Sequence, residues 1–246
     1  MFLLTIDADS SFQNKIKSNN KKINFDYLKN FKLDFKFTCF LRFDEQVKLD
    51  SDVINASEFG WHPHFYDEEF NYHTNISKLN DKIDSYLNKV PYRDCVRVGG
   101  CQANEETFSI LSKNFKIDSS IMSGCFRDDA FGRYDWRSHD NKPRLDKMLH
   151  LPITTVKSKT FYDKNIKLRY LNPCYNNIFF KKTVLENYSD LKKLDYIMLV
   201  SHADEVCTSY KDDLLTCGYE NFYLNIEFIS NLFGYEFKTL SEFKVV

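Results

Sequence analysis

Two acids two residues apart, Asp7 and Asp9 in LLTIDAD, and two imidazoles two residues apart, His62 and His64 in EFGWHPHFY, have the types and spacing that suit a metal centre. In an extended backbone residues i and i+2 project to the same side, and Pro63 biases His62 toward that conformation. Two strand ends could thus present three or four ligands to one point. Zn2+ accepts imidazole nitrogen and carboxylate oxygen, and a catalytic site keeps three protein ligands and leaves one position to water. Asp9, His62 and His64 meet that count. Arg97, Asp118 and His202 also stand at or near the ends of apolar runs, where a parallel α/β protein collects its reactive groups. Each has a plainer reading. His-Pro-His makes surface turns, Asp-x-Asp caps helices, and Arg97 suits a surface ion pair. Asp118 suits a turn cap, and His202 a satisfied core histidine.

The elements that must position these groups are short apolar runs rich in β-branched and aromatic residues, alternating with segments of helical period. The runs are FLLTID (2–7), FKFTCFLRF (35–43), EFGWH (58–62), CVRV (95–98), KIDSSIM (116–122), LHLPIT (149–154), KLRYL (167–171) and YIMLVSH (196–202). They predict an α/β fold, a single distorted or incomplete (β/α) barrel of about seven to eight strands. Three helices are legible between them. Ile76, Leu79, Ile83 and Leu87 form one apolar stripe. Asn104 caps a second, with Phe108, Leu111 and Phe115 as its buried face. Phe222, Ile226, Ile229 and Phe233 form a third, closed by Gly234. The segment 123–147 mixes Arg, Asp and aromatics without a period, and reads either as a substrate-facing excursion or as an irregular solvated loop.

Composition narrows the partners. With 43% hydrophobic and 16% aromatic residues among 246, a sizeable core is available. Lys plus Arg number 34 against 35 for Asp plus Glu, so no basic surface excess points to nucleic acid. The seven scattered cysteines form no Cys-x-x-Cys pair, which fits reduced thiols in a cytoplasmic setting. MFLLTIDADS reaches an acid at position 7, too early for a signal peptide, and no run approaches the length of a membrane span.

In this order the segments resemble the motifs of the polysaccharide deacetylases of carbohydrate esterase family four, which have a distorted (β/α) barrel. LLTIDAD resembles the first motif, EFGWHPHFY the second, VRVGG the third, IDSSIM the fourth and MLVSHADE the fifth. The resemblance spans nearly the whole chain and implies one catalytic domain over residues 1–246. It implies Asp7 as base, Asp9, His62 and His64 as ligands of a divalent metal, Zn2+ foremost, and His202 as general acid. Arg97 would hold Asp7 charged and oriented, and a backbone N–H near Phe65 or Tyr66 would help stabilise the oxyanion. Asp118 would orient His202 or cap its own turn. Gly99 and Gly100 would give substrate close access or simply form a turn.

Two departures from the family pattern are visible. The family separates its two motif-two histidines by three residues, which puts Tyr66 at the second position here, and VGG replaces the usual proline and tyrosine of motif three. A divergent branch from bacterial surface-polysaccharide biosynthesis, carrying GWHPH and a DWR element, is similar to this chain at Asp135-Trp136-Arg137. There Trp136 would be a sugar-stacking platform and Arg137 a contact for phosphate or carboxylate. The implied activity is removal of an N-acyl group from an amino sugar, nucleotide-linked, lipid-linked or oligosaccharide, during O-antigen or capsule assembly. Three other readings stand beside it: a formamido-sugar deformylase of the same fold, a different metallohydrolase, and a sugar-binding barrel without metal, which Tyr66 favours.

Overall fold

FLLTID is apolar at every position but Thr5 and Asp7, the pattern of a strand covered on both faces. In the computed structural model it forms β1 (Phe2–Asp7), buried along its whole length. The structure describes residues 1–8, 31–41, 55–63, 83, 94–129 and 132–245. After β1 come β2 (Thr38–Leu41), β3 (Glu58–Trp61), β4 (Cys95–Val96), β5 (Ile117–Asp118), β6 (Phe126–Asp129), β7 (Gly132–Asp135), β8 (Arg144–Leu145), β9 (Leu149–His150), β10 (Thr155–Ser158), β11 (Lys167–Tyr170), β12 (Ile197–His202) and β13 (Phe237–Lys238). The main sheet runs β12-β1-β2-β3-β4-β5-β9-β8, with β13 beside the start of β1. Its pairs are parallel except β8 on β9.

This sheet curls into a half-barrel. Along β12, on the side away from β1, Met198 N donates to Thr154 Oγ1 (2.8 Å), Tyr196 Oη donates to Pro152 O (2.8 Å) and Val200 N donates to Leu171 O (3.0 Å). The chain leaving β9 and β11 therefore lies along the β12 edge. The expected α/β class and curled sheet are present, while strict strand–helix alternation is not. Among the described residues, α1 (Glu105–Leu111) follows β4, α2 (Asn177–Glu186) and α3 (Tyr188–Leu191) follow β11, α4 (Ala203–Cys207) and α5 (Tyr219–Phe233) follow β12, and no helix stands between β5 and β11.

Alternation along the strands sorts their side chains. Phe2, Leu4, Ile6, Ile197 and Leu199 share a cluster with Phe180 and Val184 of α2, Ala203 and Val206 of α4, and Phe222, Ile226 and Ile229 of α5. Leu3, Phe40, Met198 and Val200, one residue out of phase with these, face the inside of the curl and belong to a second cluster, which also takes in Val96 and, from α1, Phe108 and Leu111. At about 1.5–3 kcal/mol for each fully buried Phe, Leu or Ile, the outer layer far outweighs any single polar contact. Helix docking holds the sheet, and it leaves the concave face able to carry charge.

Two expected helix ends are in place. Asn104 Oδ1 accepts from Thr107 N (2.8 Å) at the start of α1, and Gly234 follows α5 in the left-handed region (φ 66°), its N–H on Ser230 O. The expected helix through Ile76 to Leu87 lies outside the described residues except for Ile83, which is helical and buried. Segment 123–147 holds a two-stranded ribbon, β6–β7, and the sheet-edge strand β8.

Gly60 shows how tightly the concave face is filled. A Cβ there would sit 2.6 Å from Phe40 Cε1 and 3.1 Å from Cys95 O. Gly60→Ala is therefore expected to lower stability by about 1–3 kcal/mol through overpacking, read as a lower urea midpoint. An unchanged midpoint would show that this face is looser than described.

Candidate functional site

Because β12, β1, β2, β3 and β4 run parallel, their C-terminal ends open on one edge of the curl, and alternation decides which residues face inward there. Asp7 ends β1 and His202 ends β12, and the two are register partners on adjacent strands. Asp7 lies in phase with Leu3, and His202 with Met198 and Val200, so both face the concave side. His62 lies one residue past β3, in phase with Gly60, and its N–H bonds Leu41 O. Arg97 lies one residue past β4, its N–H on Trp61 O.

Arg97 is the hub. Its Nη1 donates to Asp7 Oδ1 at 2.9 Å, Nε to Ser119 O at 3.0 Å and Nη2 to Ser119 Oγ at 2.9 Å, while Nη2 also touches Met198 Sδ at 3.3 Å. The guanidinium stacks over the Phe40 ring, 4.5 Å from its centroid. Both members of the Asp7–Arg97 ion pair are buried. A buried charge pair persists only where the remaining donors are also satisfied, and Ser119 and Phe40 meet that need. The expected Asp7–Arg97 pairing is thus present as a direct contact.

His62 is buried and its Nδ1 lies 2.8 Å from Arg97 O. A carbonyl oxygen only accepts, so the neutral ring carries its proton on Nδ1 and its lone pair on Nε2. That arrangement, a ring nitrogen held by a backbone carbonyl, is how metal-binding histidines are oriented, and the donor chemistry of His62 therefore fits a divalent cation. Asp9, His64 and Tyr66 lie outside the described residues. Among the described residues no three His, Cys, Asp or Glu side chains gather at cation distance.

His202 has a partner that the sequence reading missed. Its Nδ1 lies 3.5 Å from Glu205 Oε2, and its backbone N–H donates to the same oxygen at 3.0 Å. Asn172 Nδ2 (2.9 Å) and Ser201 Oγ (3.0 Å) also donate to Glu205 Oε2. Burial alone would push the Glu205 carboxyl up, but the charge and hydrogen bonds of His202, with Asn172, hold it below the usual carboxylate range. Near them the Tyr170 phenol is pushed well up by burial and by Tyr175, Glu205 and Asp7. The available signal was the spacing in SHADE, an acid three residues after a histidine at a helix start.

Asp118 lies elsewhere. Val96, Asp118 and His150 are register partners one residue out of phase with Arg97, so they face the outer side. There Asp118 Oδ2 meets His150 Nδ1 at 3.0 Å, Asp118 Oδ1 accepts from Ser120 N at 3.1 Å, and His150 packs on Phe108 of α1. Glu205, not Asp118, stands beside His202.

Trp136 is also not where a sugar platform would be. It is 4% exposed, stacked on Phe108, edge-on to His139, with Nε1 donating to Cys101 O. Its indole is core because the ribbon folds back over α1. Arg137 is exposed, bonded to Asp135 through Nε (2.8 Å), and lies over the Phe126 ring. Gly99 N donates to Pro63 O at 2.8 Å, which seats the Gly99–Cys101 turn against the His62–Pro63 segment, and Gly100 supplies the left-handed φ of 62° that this turn needs. Burial pushes the Cys101 thiol up to about 12 and the Cys125 thiol up to about 11, away from the reactive thiolate.

Comparison of the chain with protein-family models, curated proteins and solved structures gives no match.

The Asp118–His150 pair carries a pH signature. Burial alone would lower His150, but the hydrogen bond and charge of Asp118, with Asp146, raise it above 6.5. A raised folded value means that the pair's contribution is complete below the unfolded value and is lost as pH rises through the folded one. Asp118→Asn is expected to remove that loss, flattening the melting temperature between about pH 6 and pH 9 relative to the parent. Parallel curves for parent and variant would contradict the pairing.

Proposed function

We propose that this chain is a metal-dependent hydrolase that removes an N-acyl group, acetyl foremost, from an amino sugar during surface-polysaccharide assembly. One observation carries the reading: Asp7, Arg97, His62 and His202 converge on the concave face at the C-terminal ends of parallel strands. They come from the segments, and in the order, that resemble deacetylase motifs one, three, two and five. The curled sheet supports an incomplete (β/α) barrel as the frame. Among the described residues no helix is long and apolar enough to cross a membrane, which is compatible with a cytoplasmic enzyme acting on a nucleotide-linked or lipid-linked sugar.

In this reading His62 Nε2, with Asp9 and His64, would hold a divalent cation, Zn2+ foremost, whose contribution is Lewis acidity toward the acyl carbonyl and toward water. Asp7 takes the proton of the attacking water, with Arg97 fixing its carboxylate and balancing its charge. Water oxygen bonds to the acyl carbon, the C–N bond breaks, and the departing amine needs a proton. His202 delivers it from Nε2, because Nδ1 faces Glu205. The products are a carboxylate and a free amino sugar.

Two variants test the assignment. His62→Ala is expected to lose the cation, read by elemental analysis of the purified protein. Asp7→Asn is expected to retain it while acyl release from N-acylated nucleotide sugars falls by about 10²–10⁴-fold. Undiminished turnover in Asp7→Asn would remove Asp7 as base. A metal-free parent protein that still binds sugar would replace the hydrolase with the binding reading.

A further inference from the structure

Outside the main sheet, β10 and β11 form a separate antiparallel ribbon, Thr155 opposite Tyr170 and Ser158 opposite Lys167. Its connecting loop is built around one buried carboxylate. Asp163 Oδ2 accepts from Thr160 N, Thr160 Oγ1 and Arg169 Nη2, each at 2.7 Å, and Asp163 Oδ1 meets Lys167 Nζ at 2.9 Å. Arg169 Nη1 then reaches back to Ser158 Oγ at 3.1 Å, tying the turn to the base of the ribbon. With that many bonds on one group the loop has a defined shape.

That defined shape holds apolar side chains out in water. Phe161 is 95% exposed, Tyr162 68% and Ile166 64%, with the two rings edge to face, 5.4 Å apart. Scattered exposed apolar residues need no explanation, but three within six residues, on a turn whose polar groups are turned inward, form a patch of the kind that marks an interaction site. The same segment exposes Lys157, Lys159, Lys164 and Lys167, and its single acid is the buried Asp163. The tip is therefore apolar at its end and positive around its base.

We propose that the β10–β11 tip docks on an anionic lipid surface, with Phe161, Tyr162 and Ile166 entering the headgroup boundary and Lys157, Lys159 and Lys164 meeting lipid phosphates, while Lys167 stays on Asp163. Aromatic and aliphatic side chains gain from that boundary, and lysines gain from its negative potential. A second copy of the chain is the poorer occupant, because a two-fold contact through the same tip would set lysine against lysine. Attachment of this kind is peripheral and needs no spanning helix. It stands independently of the reaction proposed above, and its failure would leave the hydrolase assignment untouched.

The test is co-sedimentation of the full chain with phosphatidylcholine vesicles with and without roughly a third phosphatidylglycerol, at low and at high salt. Binding to the anionic vesicles alone, weakened by salt, is expected. Phe161→Ser with Tyr162→Ser should abolish it without shifting the melting temperature, since both side chains are exposed. Lys159→Gln and Lys164→Gln should each weaken it by about fivefold. No binding, or equal binding to both vesicle types, would overturn the proposal. So would a concentration-dependent dimer, seen by light scattering and abolished by Phe161→Ser, which would assign the tip to a second copy.

Discussion

Placing Arg97 and Asp7 inside the curl of the sheet removes two charges from water, a cost of several kcal/mol per ion unless geometry and hydrogen bonds offset it. The offset here is specific. The guanidinium lies between β1 and β5, bonded to Asp7 and Ser119, with Phe40 of β2 beneath it and Met198 of β12 at its edge. Its own backbone carbonyl holds His62 beyond β3. A single residue, through its side chain and its backbone carbonyl, thus reaches β1, β2, β12 and the segments just past β3 and β5, and the register of β1 on β12 brings His202 alongside. The outer helices supply most of the stability, which is what permits a polar, exacting arrangement on the inner face.

How much of this was legible depends on the length of each run. FLLTID and YIMLVSH are six- and seven-residue signals, and the strands fall at residues 2–7 and 197–202. Over that length the inward phase is also fixed, so Asp7 and His202 could be placed together. The strand through Asp118 is two residues long, and in so short an element nothing in the sequence tells which of Asp118 and Ser119 faces inward. The structure turns Ser119 in and Asp118 out. Trp136 differs for another reason: the resemblance at Asp135-Trp136-Arg137 implies an accessible indole, whereas contact with Phe108 and Cys101, 28 and 35 positions earlier, buries it. Glu205 has a local signal in its spacing from His202, but its burial beside that histidine depends on Asn172, 33 positions earlier.

The molecule divides its labour between two kinds of polar construction. At the strand ends, buried charges are paired and aimed inward, where a small reacting group would be enclosed. At the β10–β11 tip one buried carboxylate does the opposite, folding polar groups in so that aromatic side chains face out. In the proposed reading, a hydrolase acting on a lipid-linked sugar would have use for both, the paired charges for the reaction and the exposed tip to stay beside its substrate.

The account depends on Asp7 being a buried charge that Arg97 holds in place, and a double-mutant cycle in urea with Asp7→Asn and Arg97→Met measures that coupling directly. Arg97→Met alone is expected to cost about 3–5 kcal/mol, because it strands the carboxylate. The double variant should recover roughly 2–3 kcal/mol relative to the sum of the two single changes. Costs that simply add would mean that the two groups do not depend on each other, and the inner-face site described here would lose its organising contact.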